Sequence, residues 1–402
     1  MTRVRTAAVI GGGIAGPVTA LALRKAGIHA TIYEAHRGSA DGVGGTLALA
    51  PNGIAALEIV DAAEAVTAVA QPSSRMVMTV GGSKRVELPS LSDVGPQRVV
   101  RRDDLYRALY DRTVKHGIPV EYGKRLIDAQ ETSTSAVAIF ADGSRAQADV
   151  VIGADGVHST LRRVIGPKAP APQYTGMLGF EGLSTWEVPV DPETMTFAFG
   201  KRGYYLYRRA SGGGTAWGVN LPHQRPLTLT EARGVPKEQW MRTLRDVYDQ
   251  DVPGGDLIRH TALDALQVSG ALHIMPSIPC WYRGRMVLVG DAVHAPSNSS
   301  GQGASLAIES AIQLARCLRD INDIPGAFAA YERLRRPRVE RIAARASKVN
   351  QVKAPGAIAR AAMPVLMPLF IKVVMKPEKT IGPEQRYRID WDAPVATDPL
   401  MV

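Results

Sequence analysis

The feature that most constrains the fold is a glycine pattern close to the N-terminus. A short apolar run, Ala7–Ile10, has the composition of a buried parallel strand, and it leads into G-x-G-x-x-G, formed by Gly11, Gly13 and Gly16. An apolar stretch over residues 14–26 follows and is predicted to be a helix. Strand, glycine turn and helix in this order are the fingerprint of a dinucleotide-binding βαβ unit. The N-terminus therefore predicts the start of a Rossmann-like domain rather than a signal peptide.

Each position of this unit has a task in holding a dinucleotide. Gly11 permits the tight turn, Gly13 lets the main chain approach a pyrophosphate, and Gly16 lets the helix lie close to the strand. The free N–H groups at the helix start, around Ile14 and Ala15, face the phosphate charge. The alternative is a glycine turn that serves packing alone.

A carboxylate at the end of the second predicted strand supports the binding interpretation. Glu34 closes the stretch Ala30–Glu34. At this place a carboxylate bonds the hydroxyls of the adenosine ribose, which favours an unphosphorylated ribose.

Composition excludes several classes of protein. The chain has 402 residues and a net charge of +10, and 45% of its residues are hydrophobic, which indicates a folded protein of two or three units. Two separated cysteines, Cys280 and Cys317, exclude a disulfide framework or a zinc site and fit a cytoplasmic location. The excess arginine indicates solvated helix faces, or else a field that attracts anionic cofactors or acidic membrane. No nucleic acid partner is expected, since no basic stripe is interleaved with aromatic residues, and no uncharged 18-residue span predicts an integral membrane protein.

The order of predicted elements indicates an α/β fold in which two domains alternate. A doubly wound, mainly parallel sheet forms the Rossmann-like dinucleotide-binding domain, a β-rich domain is inserted into it, and C-terminal helices follow. We assign residues 1–71, 99–168 and 281–345 to the first domain, 72–98 and 169–280 to the second, and 346–402 to a helical extension.

Two further motifs follow the glycine fingerprint. Gly153–Gly156 reads Gly-Ala-Asp-Gly after a buried strand, and Gly290–His294 reads Gly-Asp-Ala-Val-His after another. Asp291 is predicted to end its strand, where ligands bind in α/β sheets. A helix is predicted to start at Gly303, and its N–H groups can face a ring that gains negative charge.

The three motifs in this order resemble the single-component FAD-dependent aromatic hydroxylases, the para-hydroxybenzoate-hydroxylase-like flavoprotein monooxygenases. The resemblance covers roughly residues 1–345. It implies non-covalent FAD, reduction by NADPH or NADH, and reaction with O2 through a flavin C4a-hydroperoxide that hydroxylates an aromatic or polyketide-like small molecule. Two other functions stay open: a flavin-dependent dehydrogenase or reductase, and a flavoprotein that only sequesters an aromatic ligand.

The resemblance also implies roles for individual residues. Glu34 binds the adenosine ribose, Asp291 the ribityl chain, and Arg102 lies near the pyrophosphate. Asp155 belongs to the segment associated with both FAD and NAD(P)H. The residues predicted to surround the flavin ring and open the following helix are Gly301, Gly303 and Ala304.

The sequence departs from the family pattern in one loop, and it has no second fingerprint for a nicotinamide-binding domain. Asn298 stands where the family commonly has proline, in the loop that borders the flavin and the oxygen site. A second G-x-G-x-x-G is missing, so the nicotinamide donor is expected to dock transiently. His294 is expected to be structural rather than a base or metal ligand, and no metal is expected.

The substrate site is the least defined part of the prediction. Tyr205 and Tyr207 share one face of a predicted strand and are candidates for the pocket lining, with sheet packing as the alternative. No general base is assigned. An apolar stretch over residues 357–372 predicts core packing, peripheral membrane contact or a lipophilic lid, and a monomer or a homodimer is expected.

Overall fold

The computed structural model describes residues 3–38, 45–80, 84–353 and 377–396. In chain order the strands are β1 Thr6–Ile10, β2 His29–Glu34, β3 Thr46–Leu49, β4 Gln71–Ser73, β5 Arg75–Val80, β6 Lys84–Glu87, β7 Gln97–Arg101, β8 Val120–Tyr122, β9 Leu126–Glu131, β10 Ala136–Phe140, β11 Arg145–Ala148, β12 Val150–Gly153, β13 Gln173–Ser184, β14 Thr194–Phe199, β15 Tyr204–Arg209, β16 Thr215–Pro222, β17 Gln267–Ile274, β18 Tyr282–Arg283 and β19 Met286–Leu288. The helices are α1 Ala15–Lys25, α2 Pro51–Ile59, α3 Ala63–Ala68, α4 Arg102–Lys115, α5 Thr160–Ile165, α6 Leu229–Gly234, α7 Lys237–Tyr248, α8 Gly254–Arg259, α9 Gly303–Asp320, α10 Ile324–Lys353, α11 Pro377–Thr380 and α12 Gly382–Gln385. Two 3-10 turns occupy Gly290–Ala292 and Asn298–Ser300.

A six-stranded sheet carries the N-terminal motif at its centre. Its order is β18-β19-β12-β1-β2-β8, and every pair except β18–β19 is parallel. Strands such as β12 are buried along their whole length, because helices α1 and α9 and the three-stranded sheet β11-β10-β9 pack around this sheet. The predicted parallel sheet is confirmed, and its carboxyl ends converge at one edge.

A seven-stranded sheet forms the β-rich part of the molecule, in the order β17-β13-β16-β15-β14-β5-β6. Its pairs are antiparallel except β14–β5. The β5–β6 hairpin belongs to this sheet although it lies far from the other strands in the sequence. The pairing agrees with the predicted interleaving, while the domain boundaries themselves stay a prediction.

Each large sheet has its own hydrophobic core. One core packs around α1, α9 and the six-stranded sheet, and the other lies between the seven-stranded sheet and α7. Helix α7 buries Trp240, Met241, Leu244 and Tyr248, which recur on one helical face. The seven-stranded sheet therefore has one face against this core, which leaves its other face for contact with the rest of the molecule.

Helices α11 and α12 confirm the predicted C-terminal helical character. Their segment docks on α9 and α10: Arg345 binds Glu384 at 2.6 Å, and Arg316 donates to the Ala393 carbonyl at 2.8 Å. The apolar stretch 357–372 lies outside the described residues. Within the described part of the chain, no helix has the length and apolar character needed to cross a membrane.

Candidate active site

The three sequence motifs meet at the carboxyl edge of the six-stranded sheet. β1 pairs with β12, and Val289 N donates to Gly153 O at 2.9 Å, which brings the second and third motifs together. A Cβ at Gly290 would stand 2.8 Å from the Cβ of Ala15 in the first motif. The glycine at position 290 thus lets the third motif lie directly against the start of α1.

The turn after β1 is built from main-chain contacts that exclude side chains. Gly11 has φ +105°, and a Cβ there would stand 2.5 Å from Ala154 O. A Cβ at Gly16 would stand 1.9 Å from Gly11 O. These contacts support the roles predicted for Gly11 and Gly16, the tight turn and the close approach of helix to strand.

The space around both helix starts fits FAD. Neither α1 nor α9 has a side-chain cap or an acidic residue in its first turn, so their N-terminal N–H groups can meet negative charge. A Cβ at Gly301 or Gly303 would meet no atom within 4 Å, and one at Gly13 would meet only the Tyr106 hydroxyl, at 3.9 Å. Ala304 lies in the first turn of α9. The residues present therefore suit a pyrophosphate at α1 and a planar ring at α9.

Glu34 lies where the sequence predicts it, at the end of β2 and beside the glycine turn. Its Oε2 accepts a hydrogen bond from Gly12 N at 2.6 Å, and its Oε1 accepts one from His36 N at 2.8 Å. A carboxylate has further lone pairs, so it can still accept bonds from two ribose hydroxyls. Its role towards the ribose stays a prediction.

A tyrosine that the sequence reasoning missed stands at the centre of the predicted cofactor residues. The Tyr106 hydroxyl bonds Arg102, and the charges of Glu34 and Asp291 act on it. Burial raises the pKa of Tyr106 and is opposed by Arg102. The sequence does indicate that Tyr106 lies near the cofactor residues, since it follows Arg102 by four residues on α4 and so shares its helix face.

Asp291 does not end a strand, contrary to the prediction. β19 stops at Leu288, and Asp291 lies in the 3-10 turn Gly290–Ala292, because Gly290 turns the chain at φ +60°. The carboxylate reaches solvent, but surrounding protein atoms raise its pKa, and the Arg102 guanidinium opposes this. Asp291 thus faces the same space as Tyr106.

Asp155 caps a helix and keeps one oxygen for another partner. Its Oδ2 accepts from Thr160 N at 2.7 Å and from Leu161 N at 3.2 Å, at the start of α5. Its Oδ1 is buried without a partner among the described residues. Burial raises the Asp155 pKa, and the helix N–H groups oppose this. The free oxygen is compatible with the predicted cofactor role, which stays a prediction.

A buried polar network, also missed from the sequence, supports the start of α9. Asn52 donates to Gln302 at 2.9 Å and to Glu309 at 2.7 Å. Glu309 is fully buried and binds Arg335 at 2.7 Å and Arg338 at 2.8 Å. The two guanidinium groups outweigh burial and lower the Glu309 pKa. Because its members come from α2, α9 and α10, local sequence patterns do not reveal it.

Tyr205 and Tyr207 are core residues, which corrects their prediction as pocket lining. Both belong to the core under the seven-stranded sheet, and the Tyr205 hydroxyl donates to Val252 O at 3.2 Å. The two tyrosines share one face, as the period of two predicts, but the sequence alone does not show which face meets the core. The alternate residues of β15, such as Leu206 and Arg208, point to the opposite face and are half-buried.

That opposite face, named the inner face here, contacts the FAD-binding part of the chain. Its central row is defined by the register of five strands: Met78, Phe197, Leu206, Gly218 and Glu181. Thr46 N donates to Glu181, and Arg208 donates to Gln71. The inner face therefore lies across from the strands that lead to α2 and α4.

His294 is a buried structural residue. Its Nε2 lies 2.8 Å from Ser310 Oγ, and its ring packs on Trp281. Burial and the nearby Arg335 lower the His294 pKa to about 3, so the ring is neutral. Among the described residues no group of three or more potential metal ligands occurs.

Comparison with known proteins agrees with this architecture. The family described as "FAD binding domain" matches residues 3–346. A FAD-dependent urate hydroxylase of Klebsiella pneumoniae is 29% identical over 352 residues, which cover 85% of this chain and 88% of the relative. The 3-amino-4-hydroxybenzoate 2-monooxygenase of Streptomyces cremeus is 29% identical over 377 residues, covering 86% of each.

Solved structures show the same fold. Klebsiella pneumoniae HpxO complexed with FAD and uric acid superposes with a TM-score of 0.81 at 24% identity, over 95% of each chain. The tetracycline destructase Tet(55) superposes with a TM-score of 0.69 at 22% identity, over 92% of this chain and 96% of the other. With the family match over most of its length, this chain belongs to the FAD-binding single-component aromatic hydroxylases and is a FAD-dependent monooxygenase.

Proposed function

We propose that the protein uses NADPH or NADH and O2 to hydroxylate an aromatic or polyketide-like small molecule held between FAD and the inner face. The observation that carries this proposal is the inner face itself. Its Met78, Phe197 and Leu206 are half-buried, whereas the alternate residues of the same strands are buried. A row of partly accessible apolar side chains opposite the FAD-binding part suits a flat hydrophobic ligand.

The cofactor residues divide the work of holding FAD. The glycine turn and the start of α1 receive the pyrophosphate, with Arg102 and Tyr106 beside it, and Glu34 takes the ribose. Asp291 accepts a hydrogen bond from the ribityl chain, and the start of α9 holds the ring edge that gains negative charge on reduction. Bound there, FAD supplies the redox and oxygen-activating chemistry, while the protein orients the substrate and excludes water.

The relatives support an electron-rich ring as substrate. Their names specify urate and 3-amino-4-hydroxybenzoate, and a further relative from Aspergillus terreus is a 6-methylsalicylate 1-monooxygenase. All three substrates carry electron-donating groups on a ring. We infer that the substrate of the present chain likewise carries electron-donating groups on a ring. We also propose a cytoplasmic location for the protein.

The direct test is a screen of purified protein against a panel of phenols and heteroaromatic compounds. We expect a yellow protein that releases FAD on denaturation, and substrate-stimulated NADPH oxidation coupled to an oxygenated product. A product without added oxygen would indicate a dehydrogenase or reductase. Ligand binding with no stimulated oxidation would indicate a sequestering flavoprotein, and a colourless protein that cannot bind FAD would overturn the cofactor assignment.

The electron donor is tested separately by anaerobic flavin reduction. The donor has to reach the flavin through a transient opening, so bound substrate should speed reduction. The basic net charge favours NADPH over NADH, because the extra phosphate gains from arginine. Equal reduction rates with and without substrate would contradict the gating, and a clear NADH preference would contradict the charge argument.

A further inference from the structure

One carboxylate stands in the central row of the inner face. Glu181 on β13 pairs in register with Gly218 on β16, and Gly218 pairs with Leu206 on β15. A Cβ at Gly218 would lie 3.5 Å from both the Glu181 and the Leu206 side chains, so these two side chains border the same small gap above Gly218. The row thus has an apolar side at Leu206 and Phe197 and an acidic end at Glu181.

The Glu181 carboxylate is held in place from the FAD-binding part of the chain. Thr46 N lies 2.9 Å from Oε1 and 2.7 Å from Oε2, so one N–H group fixes both oxygens. A carboxylate offers about four acceptor positions, and this contact leaves some of them for a ligand. Gly45 makes the approach possible, since a Cβ there would lie 2.0 Å from Oε1.

The surroundings of Glu181 poise it to exchange a proton. Burial raises the pKa of Glu181, and the N–H of Thr46 and the positive charges of Arg102 and Arg101 oppose this. Arg208, also on the inner face, lies close enough for Glu181 to act on its charge. A carboxyl group with a raised pKa is a better proton acceptor, and nearby guanidinium groups favour an anion on the ligand.

We propose that Glu181 accepts a hydrogen bond and then the proton from a ring hydroxyl of the substrate, which makes the substrate a phenol or a hydroxy-heteroaromatic compound. The O–H bond of the ligand breaks, its electron pair stays on the ring oxygen, and the proton forms a new O–H bond on the carboxylate. No oxidant or reductant takes part. The ring becomes more electron-rich, as hydroxylation requires, and Arg208 stabilises the negative oxygen. This inference rests on the proposed function for the location of the substrate, but its test needs no turnover.

The test compares two probes with the FAD-loaded protein in the absence of an electron donor. The absorbance of 4-nitrophenol distinguishes the phenol from the phenolate, and its methyl ether, 4-nitroanisole, has no proton to give. We expect the wild type to bind 4-nitrophenol at least about tenfold more tightly than the ether, since a hydrogen bond to a charged group is among the stronger ones. We also expect bound 4-nitrophenol to be ionised at a pH where the free probe is mainly protonated.

Glu181→Gln keeps the side-chain shape and an oxygen for Thr46 but cannot take the proton. In this variant the preference for the phenol should fall at least about fivefold, and the bound probe should stay protonated. Glu193→Gln is the matched control, because it removes an exposed carboxylate just before β14 and should behave as the wild type. Retained FAD and an unchanged melting temperature show that Glu181→Gln is folded.

Three results would overturn the proposal: no binding of either probe, equal wild-type affinity for both, or the same ionised fraction in Glu181→Gln. If Glu181→Gln does not retain FAD, the proposal is tested instead by the pH dependence of probe binding to the wild type. Its preference for the phenol has to disappear as falling pH protonates Glu181, while its affinity for the ether stays constant; a constant preference would overturn the proposal. Because no NAD(P)H is added, a failure here is distinct from a failure to find monooxygenation.

Discussion

At the glycine turn after β1 the main chain forms the candidate cofactor site, whereas on the inner face of the seven-stranded sheet side chains form the proposed substrate site. In the turn, a Cβ at Gly16 would stand 1.9 Å from a carbonyl oxygen, so the geometry admits one residue type. On the inner face, Leu206 and Phe197 border accessible space and can change without touching the main chain. Because the turn admits few substitutions, it restricts the class of cofactor. Because the side chains of the inner face can change, that face can differ between proteins with different substrates.

The difference extends to the two faces of the sheet itself. The core face is closed by α7, so a residue there contributes to stability through buried apolar area. The inner face is only partly covered, and under the proposed function its residues contact the ligand. Substitutions on neighbouring residues of one strand should therefore separate stability from binding.

The largest expected effect is at Tyr207 on the core face. Tyr207→Ala should lower the free energy of unfolding by about 3–5 kcal/mol, as for other buried aromatic side chains, and leave ligand specificity unchanged in whatever protein folds. Leu206→Ala is the matched control: it should cost about 1 kcal/mol because less apolar area is lost, while ligand affinity changes. Urea denaturation measures both, and equal losses of stability would show that the faces do not differ.

The second prediction tests the main-chain character of the glycine turn. Gly16→Ala should cost about 3 kcal/mol and prevent FAD binding, because its Cβ would collide with Gly11 O and neither main-chain segment can move freely. Gly13→Ala, whose Cβ would stand 3.9 Å from the Tyr106 hydroxyl, should fold normally and only weaken FAD binding. Thermal denaturation with and without FAD distinguishes the two. A yellow, stable Gly16→Ala protein would refute the packing role.

This contrast explains which parts of the structure the sequence could predict. The turn is local: Gly11, Gly13 and Gly16 stand within six residues, and the chain between them has few ways to fold. The parallel sheet, the placement of Glu34 and the helix at α9 follow from such local patterns. Asp291 lies near the other predicted cofactor residues but not on the predicted strand, because one left-handed glycine ends the strand early.

The inner face depends on contacts that no local pattern contains. Period two correctly pairs Tyr205 with Tyr207, but the choice of face depends on α7, which follows later in the chain. Glu181 acquires its surroundings from Thr46, 135 residues earlier. Likewise Asn52 and Glu309 are joined across 257 residues. Residues of this kind require the tertiary structure.

The third prediction concerns a side chain within the cofactor site. Asp291→Ala should weaken FAD binding more than tenfold, about 1.4 kcal/mol, because a charge-assisted hydrogen bond to a ribityl hydroxyl is lost. Stability without FAD should not fall, since a carboxylate whose pKa is raised contributes no stability at neutral pH. Asp291→Asn keeps a hydrogen-bond acceptor without the charge, so its FAD affinity should lie between those of the wild type and Asp291→Ala. Fluorescence titration of FAD measures the affinities, and an unchanged value for Asp291→Ala would show that the carboxylate points elsewhere.

The last prediction compares two titratable groups with opposite responses to pH. The pKa of His294, behind α9, is lowered from 6.5 to about 3, so the unfolded chain binds a proton that the folded protein does not between these values. The His294 contribution to stability is therefore present above pH 6.5 and is lost as the pH falls, by up to about 1.4 kcal/mol per pH unit. Glu181 has a raised pKa, so its contribution is present at low pH and is lost as the pH rises.

Urea denaturation between pH 4 and 7 can separate these two contributions. In His294→Gln the loss of stability on acidification should be smaller than in the wild type, because the variant has no ring to protonate on unfolding. In Glu181→Gln the loss should be larger, because a group that favours the folded state at low pH is removed. The other carboxyl groups titrate in the variant and in the wild type alike, so their contributions cancel when the two free energies of unfolding are subtracted. If both variants change the pH dependence of the free energy of unfolding in the same direction, the pKa values of His294 and Glu181 are not shifted in the way that their surroundings indicate.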